Sequence, residues 1–122
     1  MKCIIILLML AFVAISNARM YSSRHDNMDI ETLVRNPGYM KTSVGCYLDR
    51  NMCGKTTATL KKAIPEIVQT ACAKCTPTQK HILRRYIEEL KKKLPRDYQS
   101  FRHKFDPNGT KFDELETAIA NS

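Results

Sequence analysis

Four cysteines, Cys46, Cys53, Cys72 and Cys75, are the residues of this chain best equipped for chemistry. They fall into two close pairs, with six residues inside the first and two inside the second. Sulfurs in this pattern admit three chemistries. Four thiolates can bind zinc tetrahedrally. A Cys-x-x-Cys pair can cycle between dithiol and disulfide, usually where a strand feeds a helix. Alternatively, all four are oxidised as structural disulfides. The N-terminus decides among these. Met1–Ala18 combines Lys2, an apolar run from Ile4 to Ile15, and small residues Ser16 and Ala18 at the −3 and −1 positions of a cleavage point. This is the pattern of a secretory signal peptide, which also removes the fifth cysteine, Cys3. An exported chain meets oxidant before zinc, and no strand is discernible near Cys72. Disulfides are therefore expected, with no metal and no cofactor. Bonds within pairs this close can fix only helix ends and the loops between them. On the chain-entropy account each contributes about 2 to 2.5 kcal/mol.

Other candidate motifs fail on spacing. Gly54-Lys55-Thr56 ends like a phosphate loop, but Asp49 stands where the earlier glycine is required. Asp106-Pro107-Asn108-Gly109 places its glycine two positions too early for a calcium loop. His25, His81 and His103 show no metal-ligand spacing. No serine elbow, paired-carboxylate motif or His-Glu-x-x-His is present, so an enzyme is not expected. Asn108-Gly109-Thr110 is a glycosylation sequon on an expected surface turn, which makes Asn108 a candidate modification site. The net charge of +8 allows weak attraction to anionic surfaces but selects no partner by itself. No nucleic-acid partner is predicted.

The elements around these residues read as helices throughout. Trp is absent, glycine is scarce, and Lys, Glu, Leu and Ala abound. After the leader, residues 19–122 make one small domain. Arg19 to Asn27 is polar and expected to be loose. Asp29 caps a short helix with Ile30, Leu33 and Val34 facing inward. Asn36-Pro37 restarts a helix carrying Met40, Val44, Tyr47 and Leu48 on one face. From Thr57 a strong stripe follows: Leu60, Ala63, Ile64, Ile67, Val68, Ala71 and Cys72. Pro65 conflicts with that stripe and is expected to kink or split the helix. Thr76-Pro77-Thr78-Gln79 is a complete start signal with a capping box. The helix it opens presents Ile82, Leu83, Tyr86, Ile87, Leu90 and Leu94 and ends near Lys93. Lys91–Lys93 match the helix dipole there. Pro95 begins a short helix with Tyr98, Phe101 and Phe105, Asp106–Gly109 turns the chain, and Phe112, Leu115 and Ile119 mark a last helix. The spacing thus predicts six helices, four of them short, and no strand. No second apolar run of spanning length follows the leader, so stable membrane insertion is not expected.

So many short helices with broad apolar or aromatic faces admit two packings. The faces can fill a solid core, or they can enclose an apolar cavity. Tyrosines, apolar in body and polar at the tip, suit such a wall.

The spacing Cys46-x6-Cys53-x18-Cys72-x2-Cys75 resembles that of the insect chemosensory proteins, the OS-D or A10 family. Further segments agree: Asp26-Asn27, Cys46-Tyr47-Leu48-Asp49, Leu60-Lys61-Lys62, Ile64-Pro65-Glu66, Thr70-x-Cys72-x-Lys74-Cys75, Gln79-Lys80, and Lys104-Phe105-Asp106-Pro107-x-Gly109. The resemblance implies an all-α prism of about six helices around a hydrophobic channel, with pairings Cys46–Cys53 and Cys72–Cys75. It further implies a secreted carrier of small apolar molecules such as fatty-chain alcohols, esters and acids, many of them semiochemicals. The chain departs from the family at several places. Ser43 stands where an aromatic residue is frequent, Tyr98 where many members carry Trp, and Phe112 is the one ring soon after the Asp-Pro-x-Gly turn, with Lys111 and Leu115 beside it. Ligand preference is therefore not carried across.

The function expected is an extracellular carrier, monomeric, with a small hydrophobic molecule as its partner. Val44, Leu48, Ile64, Ile67, Val68, Ile82, Tyr86, Tyr98 and Phe101 are the expected lining residues. The alternative is a secreted basic interaction protein with a filled core, working through Lys61, Lys62, Arg84, Arg85 and Lys91–Lys93. A thiol-active enzyme is a third, minor reading. It requires a readily reduced bond between Cys72 and Cys75.

Overall fold

The computed structural model describes residues 20–122; the signal peptide expected over Met1–Ala18 lies outside the described residues. A 3-10 turn at Ser23–His25 precedes six α-helices: α1 (Ile30–Arg35), α2 (Pro37–Tyr47), α3 (Lys55–Thr70), α4 (Pro77–Lys93), α5 (Pro95–Phe105) and α6 (Phe112–Ile119). No strand occurs among the described residues. Cys46–Cys53 and Cys72–Cys75 are the two disulfides.

Local chemistry explains most of the boundaries. The Asp29 carboxylate accepts from the Thr32 N–H at the start of α1, and Asn36 Oδ1 accepts from the Tyr39 N–H at the start of α2. At α4 the capping box is complete: Thr76 Oγ1 accepts from the Gln79 N–H at 3.1 Å, and Gln79 Oε1 accepts from the Thr76 N–H at 3.0 Å. Proline occupies the first position of α2, α4 and α5, where no backbone donor is needed. The Asp49 carboxylate binds both Lys61 and Lys104, tying the Cys46–Cys53 loop to α3 and α5.

Pro65 does not split α3, which runs unbroken from Lys55 to Thr70. Pro65 is exposed, so the Lys61 carbonyl that it leaves without a donor is on the wet side of the helix. Water can take that bond, and the apolar stripe opposite is undisturbed.

The packing order matters most. α1 packs on α2 and α4, α2 on α3 and α5, and α4 on α5. Both α5 and α6 reach α3 as well as α4. The two longest helices, α3 and α4, are not among the closely packed pairs, although only Ala71–Thr76 separates them. A solid core does exist beside them. Phe101 and Phe112 pack edge to face at 5.9 Å between ring centroids, Tyr98 and Phe112 at 6.0 Å, and Tyr47 and Phe101 at 6.1 Å. Leu90, Met40, Val44 and Ile119 are fully buried members of the same core cluster.

Asp106 has a role its motif did not suggest. Its Oδ2 accepts the N–H groups of Lys111 (2.9 Å) and Phe112 (2.8 Å), so a buried carboxylate caps α6 from across the turn. Gly109 makes the turn possible by taking φ = 72°. The Phe112 N–H bond, with that of Lys111, holds the carboxyl below its ordinary pKa of 3.8 despite desolvation. A carboxyl with a lowered folded-state pKa stabilises the fold above 3.8, and that stabilisation disappears as pH falls through the lowered value. Asp106→Asn should therefore lower the melting temperature at pH 7, with the difference from wild type shrinking on acidification below pH 4. Thermal melts by circular dichroism at both pH values check this.

Candidate functional site

A cavity of about 420 Å³ lies where α3 and α4 fail to meet. α3 supplies Leu60, Ala63, Ile64, Ile67 and Val68, and α4 supplies Ile82, Leu83, Tyr86 and Ile87. These are the two stripes that the heptad-like spacing marked out, now facing each other across space. Tyr47 of α2, Phe101 of α5 and Leu115 of α6 come in from the helices that bridge the gap. Of the residues expected to line a cavity, Ile64, Ile67, Val68, Ile82, Tyr86 and Phe101 do so. Val44, Leu48 and Tyr98 do not. Val44 is fully buried in the solid core, one turn before Tyr47, which with Tyr39 is what α2 brings to the void. Leu48 packs half-buried at the end of α2. Tyr98 turns towards α6, where its hydroxyl donates to Glu116 at 2.8 Å and its ring abuts Phe112. In each case the apolar stripe is longer than the cavity: α2 borders it only at Tyr39 and Tyr47, and α5 only at Phe101.

The tyrosines give the wall a polar undertone without charge. Ser43 donates its only hydroxyl proton to the Met40 carbonyl at 3.2 Å, so the Tyr86 phenol is the donor in the 2.8 Å contact with Ser43 Oγ. Burial pushes the phenols of Tyr47 and Tyr86 well above their ordinary range, and both remain neutral. Ser43, where an aromatic residue was the commoner expectation, thus satisfies a phenol in the cavity wall.

The largest departure from expectation is the segment before α1. It is not loose. The Tyr21 N–H donates to the Lys74 carbonyl (2.8 Å) and its hydroxyl to Glu66 (2.8 Å). Gln79 Nε2 donates to the Ser22 carbonyl and to Asp26 Oδ1, both at 2.9 Å, and Thr76 Oγ1 donates to Asp26 Oδ2 at 2.9 Å. These bonds lay residues 21–28 across the α3–α4 corner. Tyr21, Ser22, Arg24, His25 and Met28 thereby become one side of the cavity. Its partners lie about fifty residues away, which is why periodicity missed it; the apolar side chains Tyr21 and Met28 in a polar stretch were the available signal. His25, Met28 and Tyr39 also border a second, more open recess of about 320 Å³, shared with Asn27, Leu33, Thr56 and Thr57. These three side chains therefore stand at the threshold between cavity and surface.

No cluster of three or more His, Cys, Asp or Glu is placed to hold a metal among the described residues. Cys72 is wholly buried and Cys75 is 3% exposed, facing the cavity, so neither sulfur is open to a redox partner. The sequon residue Asn108 is exposed in the turn between α5 and α6. Among the described residues, no helix is long and apolar enough to cross a membrane.

Comparison with known proteins follows the same lines. The family described as insect pheromone-binding, A10/OS-D, matches residues 21–113. Ejaculatory bulb-specific protein 3 of Drosophila melanogaster is 25% identical over 108 residues, which cover 88% of this chain and 86% of that protein. Allergen Tha p 1 of Thaumetopoea pityocampa is 30% identical over 87 residues, 71% of this chain and 69% of its own. Among solved structures, a chemosensory protein in complex with bromo-dodecanol superposes with a TM-score of 0.73 at 26% identity, over 80% of this chain and 97% of that one. The antennal chemosensory protein A6 from the moth Mamestra brassicae gives a TM-score of 0.65 at 25% identity, over 82% and 93%.

Gln79 holds both the start of α4 and the wall segment. Gln79→Ala should cost about 1 kcal/mol of stability through the lost cap. It should also raise amide hydrogen exchange in residues 21–28 far more than in α5 or α6. Mass-resolved hydrogen exchange checks this, and uniform acceleration across the chain would contradict the tie described here.

Proposed function

The chain belongs to the insect pheromone-binding family A10/OS-D, and from that premise we propose a secreted, monomeric carrier that holds one fatty-chain molecule between α3 and α4. The family is one of binding proteins, and the chain is not an enzyme. The observation that carries the reading is the 420 Å³ cavity with its almost wholly apolar wall. Its volume falls within the range of about 300 to 1,000 Å³ usual for small-molecule sites. At about 30 Å³ for each water-sized unit, the space suits roughly a dozen non-hydrogen atoms. A structural relative was solved with a ligand of that size, bromo-dodecanol. A single chain supplies the whole lining of the cavity, which supports the monomeric reading. Export is supported by the two disulfides and by the leader pattern of the first eighteen residues.

The energetics fit reversible carriage. Burying twelve methylene-sized groups gains about 10 kcal/mol gross at ~0.8 each. Lost freedom of the ligand removes about 4 kcal/mol at the lower estimate. The remaining ~6 kcal/mol corresponds to a Kd of tens of micromolar, and a single head-group hydrogen bond brings it to the micromolar range. The alternative basic interaction surface is largely neutralised within the fold. Lys61 pairs with Asp49, Arg84 with Glu88, Arg85 with Glu31, Glu88 and Glu89, Lys91 with Glu116, and Lys93 with Glu89.

An apolar fluorescent probe should bind saturably with a Kd between about 1 and 50 μM, and dodecanol should displace it. Ala63→Phe places a ring inside the cavity and should weaken probe binding at least about tenfold without lowering the melting temperature. Leu90→Ala, in the solid core, should cost about 2 to 5 kcal/mol of stability with affinity unchanged within error. Absence of saturable probe binding to the wild type would overturn the carrier reading.

A further inference from the structure

We propose that the ligand this cavity is built for is a long-chain carboxylate, its head held at the threshold by Arg24 and His25 and its tail directed towards Val68, Phe101 and Leu115. The inference rests on the carrier reading and names the head group that reading leaves open.

Three observations point to an acceptor-rich, anionic head. Nε2 of His25 is closed off from water and has no hydrogen-bond partner among the described residues, where every other buried side-chain nitrogen or oxygen is satisfied. A buried polar atom left in that state is costly, and it marks a place where a bond is made by something not part of the chain. The ring also borders both the cavity and the outer recess, so a turn of the ring brings Nε2 within reach of a ligand held there. Arg24, its neighbour, is the one formally charged side chain in the cavity wall. Its guanidinium has no carboxylate partner among the described residues, unlike Arg85 of α4, which is engaged by three glutamates.

The third observation concerns what is missing from the walls. Neither the cavity nor the recess is lined by an aspartate or glutamate. The acidic groups close by are turned elsewhere. Both oxygens of Asp26 are taken by Thr76 and Gln79. Glu66 is held by Tyr21 and Lys74, and Asp29 by Thr32. An anionic head at the rim therefore meets donors and no opposing charge. The rim is also the only place such a head can sit, because an ionised carboxylate drawn into the apolar interior would lose its hydration without replacement. A carboxylate has two oxygens, enough for the imidazole N–H and the guanidinium together. A hydroxyl could satisfy His25 but would leave Arg24 without a role.

The test compares dodecanoate with dodecanol, two ligands of equal chain length, below their aggregation limits on the wild type and on Arg24→Gln. The expected result is tighter binding of dodecanoate by the wild type, with the acid-to-alcohol affinity ratio falling about three- to tenfold in Arg24→Gln. In the wild type, whatever the variant's folding, nitrogen NMR of labelled histidine should show the His25 Nε2 resonance shifting on addition of dodecanoate while His103 stays fixed. Equal affinities for acid and alcohol, an unchanged ratio in the variant, or a stationary His25 signal would each overturn the head-group assignment and leave the carrier reading intact. If neither ligand binds the wild type, both fall together.

Discussion

α5 and α6 pack on both α3 and α4, and that double contact keeps the two longest helices apart. Two amphipathic helices joined by a short corner ordinarily close on each other as a hairpin, stripe against stripe. Here the corner works against closure. Ala71 and Cys72 both take left-handed backbone conformations, φ = 51° and 65°, which non-glycine residues adopt only where the surroundings impose them. The Cys72–Cys75 disulfide stands on that corner, with both sulfurs buried. The capping box of Thr76 and Gln79 then launches α4 on a new course. With the ends fixed and Phe101 and Leu115 reaching between them, the stripes of α3 and α4 have no protein surface to meet.

That geometry converts folding pattern into function. Side chains facing a void lose their dispersion contacts on one side, so the empty cavity is less stable than a filled core of the same residues. A bound apolar chain restores those contacts and stabilises the folded state in proportion to its concentration over its Kd. The solid aromatic cluster of Tyr98, Phe101 and Phe112 sits beside the void and supplies the rigidity the void lacks. Stability and binding are thus divided between two neighbouring parts of one interior.

The division also sets how far the sequence could be read. Helix ends were legible because their chemistry is local: Asp29, Asn36, Thr76 with Gln79, and the prolines at helix starts all act within one turn. The cysteine spacing, through the family resemblance, carried the disulfide pairing. Lining residues were legible only where the cavity coincides with the main stripes, as at Ile64, Ile67, Val68 and Ile82. Val44 and Tyr98 carry the same apolar signature as Tyr47 and Phe101 one turn away, and sequence has no means of telling wall from core at that scale. The segment 21–28 was beyond reach because the bonds that order it join it to Glu66, Lys74, Thr76 and Gln79. The effect of Pro65 depended on which side of α3 it occupied. The role of Asp106 depended on a turn that returns its carboxylate to Lys111 and Phe112.

The segment that periodicity missed also brings the cavity wall the one formally charged residue found among the described residues, Arg24. Apart from Thr59, Gln79 and the sulfur of Cys75, the rest of the wall is aliphatic or aromatic, and one apolar surface accepts most alkyl chains about equally well. Discrimination among ligands of similar length needs polar groups whose bonds are made by one head group and left unmade by another. Ser22, Arg24 and His25 supply such groups, and they reach the cavity because Tyr21, Asp26 and the α3–α4 corner pin the backbone between them. A polar strap over an apolar trough therefore divides the wall in two: the helices present apolar area, and the strap presents polar groups.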